Sequence, residues 1–265
     1  MINPIDNPSE NYCDQKCPLC QSALQKKEDA EFLSCNHCGL KIRKTAEKVD
    51  GLYRTGWLNP LENMNLTGGT NPTLGVNYIR ELLCTLGLKN LDGKRILDFG
   101  GGRGEMALAL EDVGAKVVIV DPYSYEQLIK KGMAAVQSLE QLEDEESFDG
   151  AIAIDVVEYL TAPWNDLGEI RKLLRTNGWL YLSTPNGQSL NARMNREKWR
   201  EALNPSHLLL FSPLAMEMTL RKASFEHHQR LRWKVDYSEK KLIQAKDWLL
   251  RAVWLDGVLR YLAYV

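Results

Sequence analysis

Arg95-Ile96-Leu97-Asp98-Phe99-Gly100-Gly101-Gly102-Arg103-Gly104 is the stretch on which the fold turns. A short apolar run meets a cluster of glycines and then passes into Met106, Leu108, Leu110 and Val113, which recur at helical spacing. A strand that reverses sharply into a helix needs residues free to take a positive φ, and a backbone that approaches a ligand closely needs no Cβ in the way. The helix behind such a loop offers unsatisfied N–H groups and the positive end of its dipole. The stretch therefore predicts a ligand at a strand–helix turn, approached by the backbone of Gly100, Gly102 and Gly104.

Outward from this loop the chain alternates strand and helix. Leu74, Tyr78, Leu82, Leu83 and Leu86 predict a helix ending at Gly87. Downstream, strands are expected at Lys116 to Val120, more weakly at Met133 to Gln137, and at Phe148 to Ile154. A helix is expected over Asp166 to Leu174, leading through Asn177-Gly178 into a strand at Trp179 to Ser183. Strands that read as continuous apolar runs between helices imply a parallel sheet covered on both faces. The run Glu143-Asp144-Glu145-Glu146 reads as a solvated loop.

Asp121 closes the second strand about twenty residues past the loop, where a carboxylate can accept from both ribose hydroxyls of a nucleoside. Glycine loop and acid together would equally fit a dinucleotide-binding dehydrogenase. The spacing separates the two: the glycines lie as GxGxG after an acidic residue, not as GxGxxG. In this the loop resembles motif I of the class I S-adenosylmethionine-dependent methyltransferases. Ser147-Phe148-Asp149-Gly150-Ala151-Ile152 is similar to that family's fourth strand, and Asp155-Val156-Val157-Glu158-Tyr159-Leu160 to the segment after it. Leu173 to Leu180 resembles its turn into the fifth strand, and Thr184-Pro185-Asn186 the end of that strand in relatives of the ubiquinone O-methyltransferases. The resemblance covers roughly residues 74 to 235. It implies a Rossmann-like, seven-stranded, doubly wound α/β sheet that binds S-adenosylmethionine. It also implies that Asp98 orients the loop and the methionine end of the co-substrate, that Ser138 and Leu139 contact adenine, and that Asp155 belongs to the same site.

Ahead of this domain lie two knuckles, Cys17-Pro18-Leu19-Cys20 and Cys35-Asn36-His37-Cys38, separated by residues 21–34. Four thiolates so spaced close a tetrahedral Zn²⁺ site, with no open position for catalysis. A structural zinc ribbon is expected on Cys17, Cys20, Cys35 and Cys38, with Cys13 and His37 as spare ligands. Residues 1–50 thus form the ribbon, 51–72 a linker or ordered loop rich in Gly, Asn and Thr, and 73–265 the methyltransferase domain.

The net charge of -2 supplies no general field for nucleic acid, though it leaves a local basic patch open. The N-terminus lacks the pattern of a secretory signal, no apolar run is long enough to span a bilayer, and the cysteines cluster as metal ligands rather than disulfides. A cytoplasmic location is expected, and a homodimer is compatible with the sequence.

Methyl transfer is an in-line displacement at a sulfonium, so the protein supplies alignment and, for a hydroxyl nucleophile, a base. Among four histidines, His37 lies in the ribbon and His227-His228 on an expected strand. His207, in Asn204-Pro205-Ser206-His207-Leu208-Leu209-Leu210-Phe211-Ser212, resembles a histidine that lies near the acceptor in small-molecule relatives. It is the candidate general base; merely hydrogen-bonding its loop is the other reading. Tyr159 stands where many relatives have histidine. Residues 188–203, with Arg193, Arg196 and Trp199, read as a lid or as a plain surface helix. After residue 238 a packing helix, the turn Asp256-Gly257 and an antiparallel closing strand from Val258 to Val265 are expected.

Three functions compete at this level. The favoured one is O-methylation of a small molecule of natural-product, sugar or quinone/lipid type. An rRNA base methyltransferase is the second, because bacterial rRNA guanine methyltransferases also join a CPxC ribbon to this fold. A binding module with a vestigial site is the third, and the intact glycine loop and Asp121 argue against it.

Overall fold

The glycine loop leaves the middle of a sheet. In the computed structural model, which describes residues 16–26, 31–44, 72–142, 148–232, 249–250 and 255–265, Arg95–Phe99 forms strand β4. It pairs in parallel with β5 (Lys116–Val120) on one side and β7 (Phe148–Ile154) on the other. β6 (Ala135–Val136) extends the sheet beyond β5, and β8 (Leu174–Pro185) lies parallel to β7. β11 (Val258–Tyr264) then runs antiparallel between β8 and β10 (His227–Arg230). The order β10-β11-β8-β7-β4-β5-β6 gives the seven strands expected, including the antiparallel closing strand and the placement of His227-His228.

Alternation along these strands explains their continuous apolar runs. Ile96, Val117, Ile119, Ile152 and Tyr181 face one core, shared with α1 (Pro72–Leu86) and α2 (Glu105–Glu111). Leu97, Phe99, Ala151, Ala153, Leu180 and Leu182 face another, shared with α4 (Pro163–Leu173) and α7 (Pro213–Lys222). The small helix α3 (Tyr125–Lys130) lies between β5 and β6.

Element limits move where local chemistry outweighs periodicity. α4 starts at Pro163, earlier than Asp166, because proline suits the first helical position, where no N–H is needed. α2 stops at Glu111, short of Val113, ahead of the turn through Gly114 at φ 95°. β6 keeps only two residues of the expected five. β8 begins at Leu174 and carries an irregularity around Asn177, which takes φ 63°. The acidic run, most of the 51–72 segment and all but 249–250 of the expected C-terminal helix lie outside the described residues.

The N-terminal strands β1 (Leu24–Lys26), β2 (Phe32–Cys35) and β3 (Lys41–Arg43) form an antiparallel sheet whose fourth strand, β9 (Leu209–Leu210), comes from the far end of the chain. Lys41 pairs with Leu210 and Ile42 with Leu209. The boundary between ribbon and catalytic domain is one of sequence, and in space the two share a sheet. Residues 188–203 fold as α5 (Leu190–Asn195), a single 3₁₀ turn and α6 (Arg200–Leu203). Ala192, Trp199 and Ala202 bury against Phe32 and Leu210, so the inner face of this insert is fastened to the ribbon.

Candidate active site and cysteine cluster

Four of the parallel strands end on one edge of the sheet, and the expected ligand-binding residues lie there. Asp98 is the second-to-last residue of β4, Asp121 follows β5, Ser138 and Leu139 follow β6, and Asp155 follows β7. The loop itself is shaped by positive φ at Gly100 (74°), Gly102 (52°) and Gly104 (82°). A Cβ on Gly101 would stand 2.6 Å from Asp98 Oδ2, whereas one on Gly102 would meet nothing within 4 Å. Gly102 thus faces open space beside the strand ends. Gly104 begins α2 with no side chain capping the first turn.

The two acids differ in their partners. Asp121 accepts from the N–H groups of Gly102 (2.9 Å), Tyr123 (2.9 Å) and Ser124 (2.8 Å), so its carboxylate braces the glycine loop. Asp98 is 3% exposed and its Oδ2 has no hydrogen-bond partner. Burial, with the charge of Asp121 added, pushes its pKa up to about 7. A buried acceptor without a donor costs free energy unless a ligand supplies one. The residues present therefore fit a ligand that brings donors or positive charge, as the amino-acid end of S-adenosylmethionine would.

Asp155 takes φ 50°, a sparsely populated conformation for a non-glycine residue. It is fixed from β8: its N–H donates to the Ser183 carbonyl at 3.0 Å, and the Ser183 hydroxyl reaches its Oδ1 at 3.4 Å. The turn after it holds Glu158, 1% exposed, which accepts from the Thr184 hydroxyl at 2.9 Å while its Oε1 stays unpartnered. Burial and then the nearby Asp155 push the Glu158 carboxyl well above the usual carboxylate range. Nothing in the sequence pattern had singled out Glu158 for a role.

His207 is only 2% exposed. Its Nδ1 lies 3.1 Å from the Glu201 carbonyl oxygen and its Nε2 3.2 Å from the Tyr159 hydroxyl, with the two rings edge to face at 4.9 Å. The Leu208 N–H donates to the Glu158 carbonyl at 2.8 Å, joining the histidine loop to the turn that bears Tyr159. Arg43 of β3 grips the same loop from behind. Its Nε donates to the His207 carbonyl at 2.9 Å, and one terminal nitrogen donates to the Ala202 and Asn204 carbonyls, each at 2.7 Å. The remaining terminal nitrogen pairs with Glu31, and the guanidinium stacks 4.4 Å over Phe32. Lys41-Ile42-Arg43-Lys44 looks like an ordinary surface charge run, so the sequence carries no local signal of this grip.

The two cysteine knuckles are built alike. In each, the N–H four residues on returns to the first cysteine's carbonyl (Gln21 to Cys17 at 2.9 Å, Gly39 to Cys35 at 2.8 Å). Left-handed residues make these turns possible, Gln21 at φ 59° and Gly39 at 76°. Sγ atoms of Cys17 and Cys38 are 3.5 Å apart, those of Cys20 and Cys35 3.4 Å, and all four lie within 4.8 Å of one another. A tetrahedron with Zn–S near 2.3 Å spaces its sulfurs by about 3.8 Å, so the donor set fits that ion. Burial raises the Cys17 and Cys38 thiols, so a divalent cation is what would hold these two as thiolates. His37 is exposed and outside the cluster, and Cys13 lies outside the described residues.

A family model of the methyltransferase domain matches residues 76–230, the span that holds the glycine loop, Asp121 and His207. The chain belongs to the class I S-adenosylmethionine-dependent methyltransferases. It is 30% identical over 145 residues to a ubiquinone biosynthesis O-methyltransferase from Bradyrhizobium sp., and 28% identical over 145 residues to one from Rhodopseudomonas palustris. In both cases 49% of this chain matches 57% of the relative, so the chain spans little more than half the length of these curated relatives. Among solved structures, a methyltransferase from Archaeoglobus fulgidus superposes with TM-score 0.56 at 17% identity, over 78% of this chain and 100% of that one. The Burkholderia thailandensis 1,6-didemethyltoxoflavin-N1-methyltransferase gives 0.50 at 18%, over 90% and 97%. At these identities the structures speak for the fold of this methyltransferase alone.

Among the described residues, no helix is long and apolar enough to cross a membrane.

Proposed function

We propose that this methyltransferase moves a methyl group from S-adenosylmethionine to a hydroxyl oxygen of a small acceptor of quinone, natural-product or sugar type. The observation that carries the reading is the pairing, on one edge of the sheet, of a buried unsatisfied Asp98 at the glycine loop with a neutral histidine–tyrosine pair beyond β7. The name of the Bradyrhizobium relative, an O-methyltransferase of ubiquinone biosynthesis, supports an oxygen nucleophile.

In this reading Asp98 and the backbone of Gly100, Gly102 and Gly104 hold the amino-acid end of the co-substrate. Asp121 would accept from a ribose hydroxyl, Ser138 and Leu139 would contact adenine, and Asp155 would belong to the same site. Cys17, Cys20, Cys35 and Cys38 hold a zinc ion whose closed coordination orders the ribbon.

The ribbon's position against the histidine loop favours a second reading, methylation of RNA, in which the ribbon would help dock the substrate. Incubating cell extract with methyl-labelled S-adenosylmethionine separates the two. Label in a small-molecule product, found by mass spectrometry, is the expected result. Label in rRNA, with binding that weakens steeply with salt, would favour the second reading. No binding of S-adenosylmethionine by calorimetry would remove both.

A further inference from the structure

The hydrogen bonds around His207 determine which way a proton can travel. The Glu201 backbone carbonyl can only accept, so Nδ1, 3.1 Å away, carries the ring hydrogen. The Glu201 carboxylate, 3.7 Å from Nδ1, favours the same tautomer. Nε2 then presents a lone pair to Tyr159, and the phenol must donate to it across 3.2 Å. With its hydrogen committed to His207, the Tyr159 oxygen offers only lone pairs to whatever approaches it. Such a pair can take a proton from a ligand but cannot give one. The charged groups around the ring are Arg43 from the ribbon and Glu201 and Arg200 from α6, and on the turn after β7 it meets Tyr159. Burial, followed by the charges of Arg43 and Arg200, lowers its pKa to about 4, so the ring is neutral at physiological pH.

We propose that Tyr159 is the residue that meets the acceptor and takes its hydroxyl proton, and that His207 acts from behind by receiving the phenol's own proton. This rests on the O-methylation reading above. As the acceptor oxygen attacks the methyl carbon, the C–O bond forms, the C–S bond breaks and its electron pair stays on sulfur, leaving a neutral thioether. The acceptor's proton passes to the Tyr159 oxygen while the Tyr159 proton passes to Nε2. The positive charge lost from the sulfonium thus ends on the imidazole. A hydroxyl proton becomes far more acidic as its oxygen is alkylated, so an imidazole of lowered basicity suffices.

Two measurements on the full-length, zinc-loaded protein test this. In ¹⁵N-histidine NMR with S-adenosylhomocysteine present, His207 should show a protonated Nδ1 and an unprotonated Nε2. The Nε2 signal should shift in Tyr159→Phe as its hydrogen bond is lost. A ring protonated at Nε2 overturns the proposal whatever the acceptor. In methyl-transfer assays, Tyr159→Phe and His207→Gln should each lower kcat on catechol by about 100-fold or more. Both should leave S-adenosylmethionine affinity unchanged. On nitrocatechol, whose hydroxyl is already ionised near neutral pH, the loss should be less than tenfold. Equal losses on both catechols would mean a merely structural pair. If the unsubstituted enzyme binds S-adenosylmethionine but methylates neither catechol, a catechol-type acceptor is removed and the nitrogen signals decide the pair.

Discussion

At the residue scale, Asp98 sets ligand binding against stability. Its folded pKa, raised to about 7, lies well above the value near 4 of an unfolded aspartate. The stabilising share of the neutral carboxyl is therefore complete below about pH 4 and is lost as pH rises through 7. Three pH units at about 1.4 kcal/mol each set an upper bound of about 4 kcal/mol. Asp98→Asn should accordingly raise the urea midpoint of the ligand-free protein at pH 8 while lowering its affinity for S-adenosylmethionine at least tenfold. Unchanged affinity by calorimetry would remove Asp98 from the site. The neighbouring glycines offer a matched pair. A Cβ on Gly101 meets Asp98 Oδ2 at 2.6 Å and Ile119 Cγ2 at 2.7 Å, so Gly101→Ala should cost about 1–3 kcal/mol of stability through overpacking. Gly102→Ala meets no atoms and should cost only about 1–2 kcal/mol for its positive φ, its main effect appearing as weakened ligand binding.

At the scale of elements, β3 and the loop before β9 are joined by one side chain. Arg43 satisfies the carbonyls of Ala202, Asn204 and His207, and Arg43→Ala would leave them to compete for other donors. We expect a loss of about 3 kcal/mol or more, together with faster proteolysis within residues 199–208. Arg43→Lys should not rescue it, since a single ammonium cannot reproduce the planar fork or its stacking on Phe32. Full rescue by lysine would show that charge alone matters. The CxxC spacings and the strand–helix alternation were legible because each depends on residues close in sequence. The Arg43 grip was not, since its partners lie more than 150 residues away and belong to backbone, which has no sequence identity.

At the scale of the whole molecule, ribbon and catalytic domain share a core as well as a sheet. Cys17, Leu24, Leu33 and Leu40 pack in one cluster with Leu208, Phe211, Met216 and Leu220. Lys222 of α7 donates to the Pro18 carbonyl at 2.7 Å, and the Ser212 hydroxyl donates to the Cys38 carbonyl. Calorimetry should therefore show one cooperative unfolding transition, and stripping the metal with a chelator should lower the midpoint of that whole transition. Two separate transitions, with only the minor one sensitive to chelator, would mean that the ribbon unfolds independently.

The amino-acid sequence alone determined the chemistry that depends on short spacings: a glycine loop after an acidic strand end, an acid closing the next strand, and two cysteine knuckles. Each reflects geometry that a few consecutive residues impose by themselves. Only the tertiary structure decided what His207 faces, because the carbonyl on one side of its ring and Tyr159 on the other are brought there by separate elements. It likewise decided that Asp121 braces the glycine loop while the Oδ2 of Asp98 is left without a donor, and that the ribbon supports the histidine loop. Those outcomes depend on burial and on partners distant in the chain, which spacing does not encode.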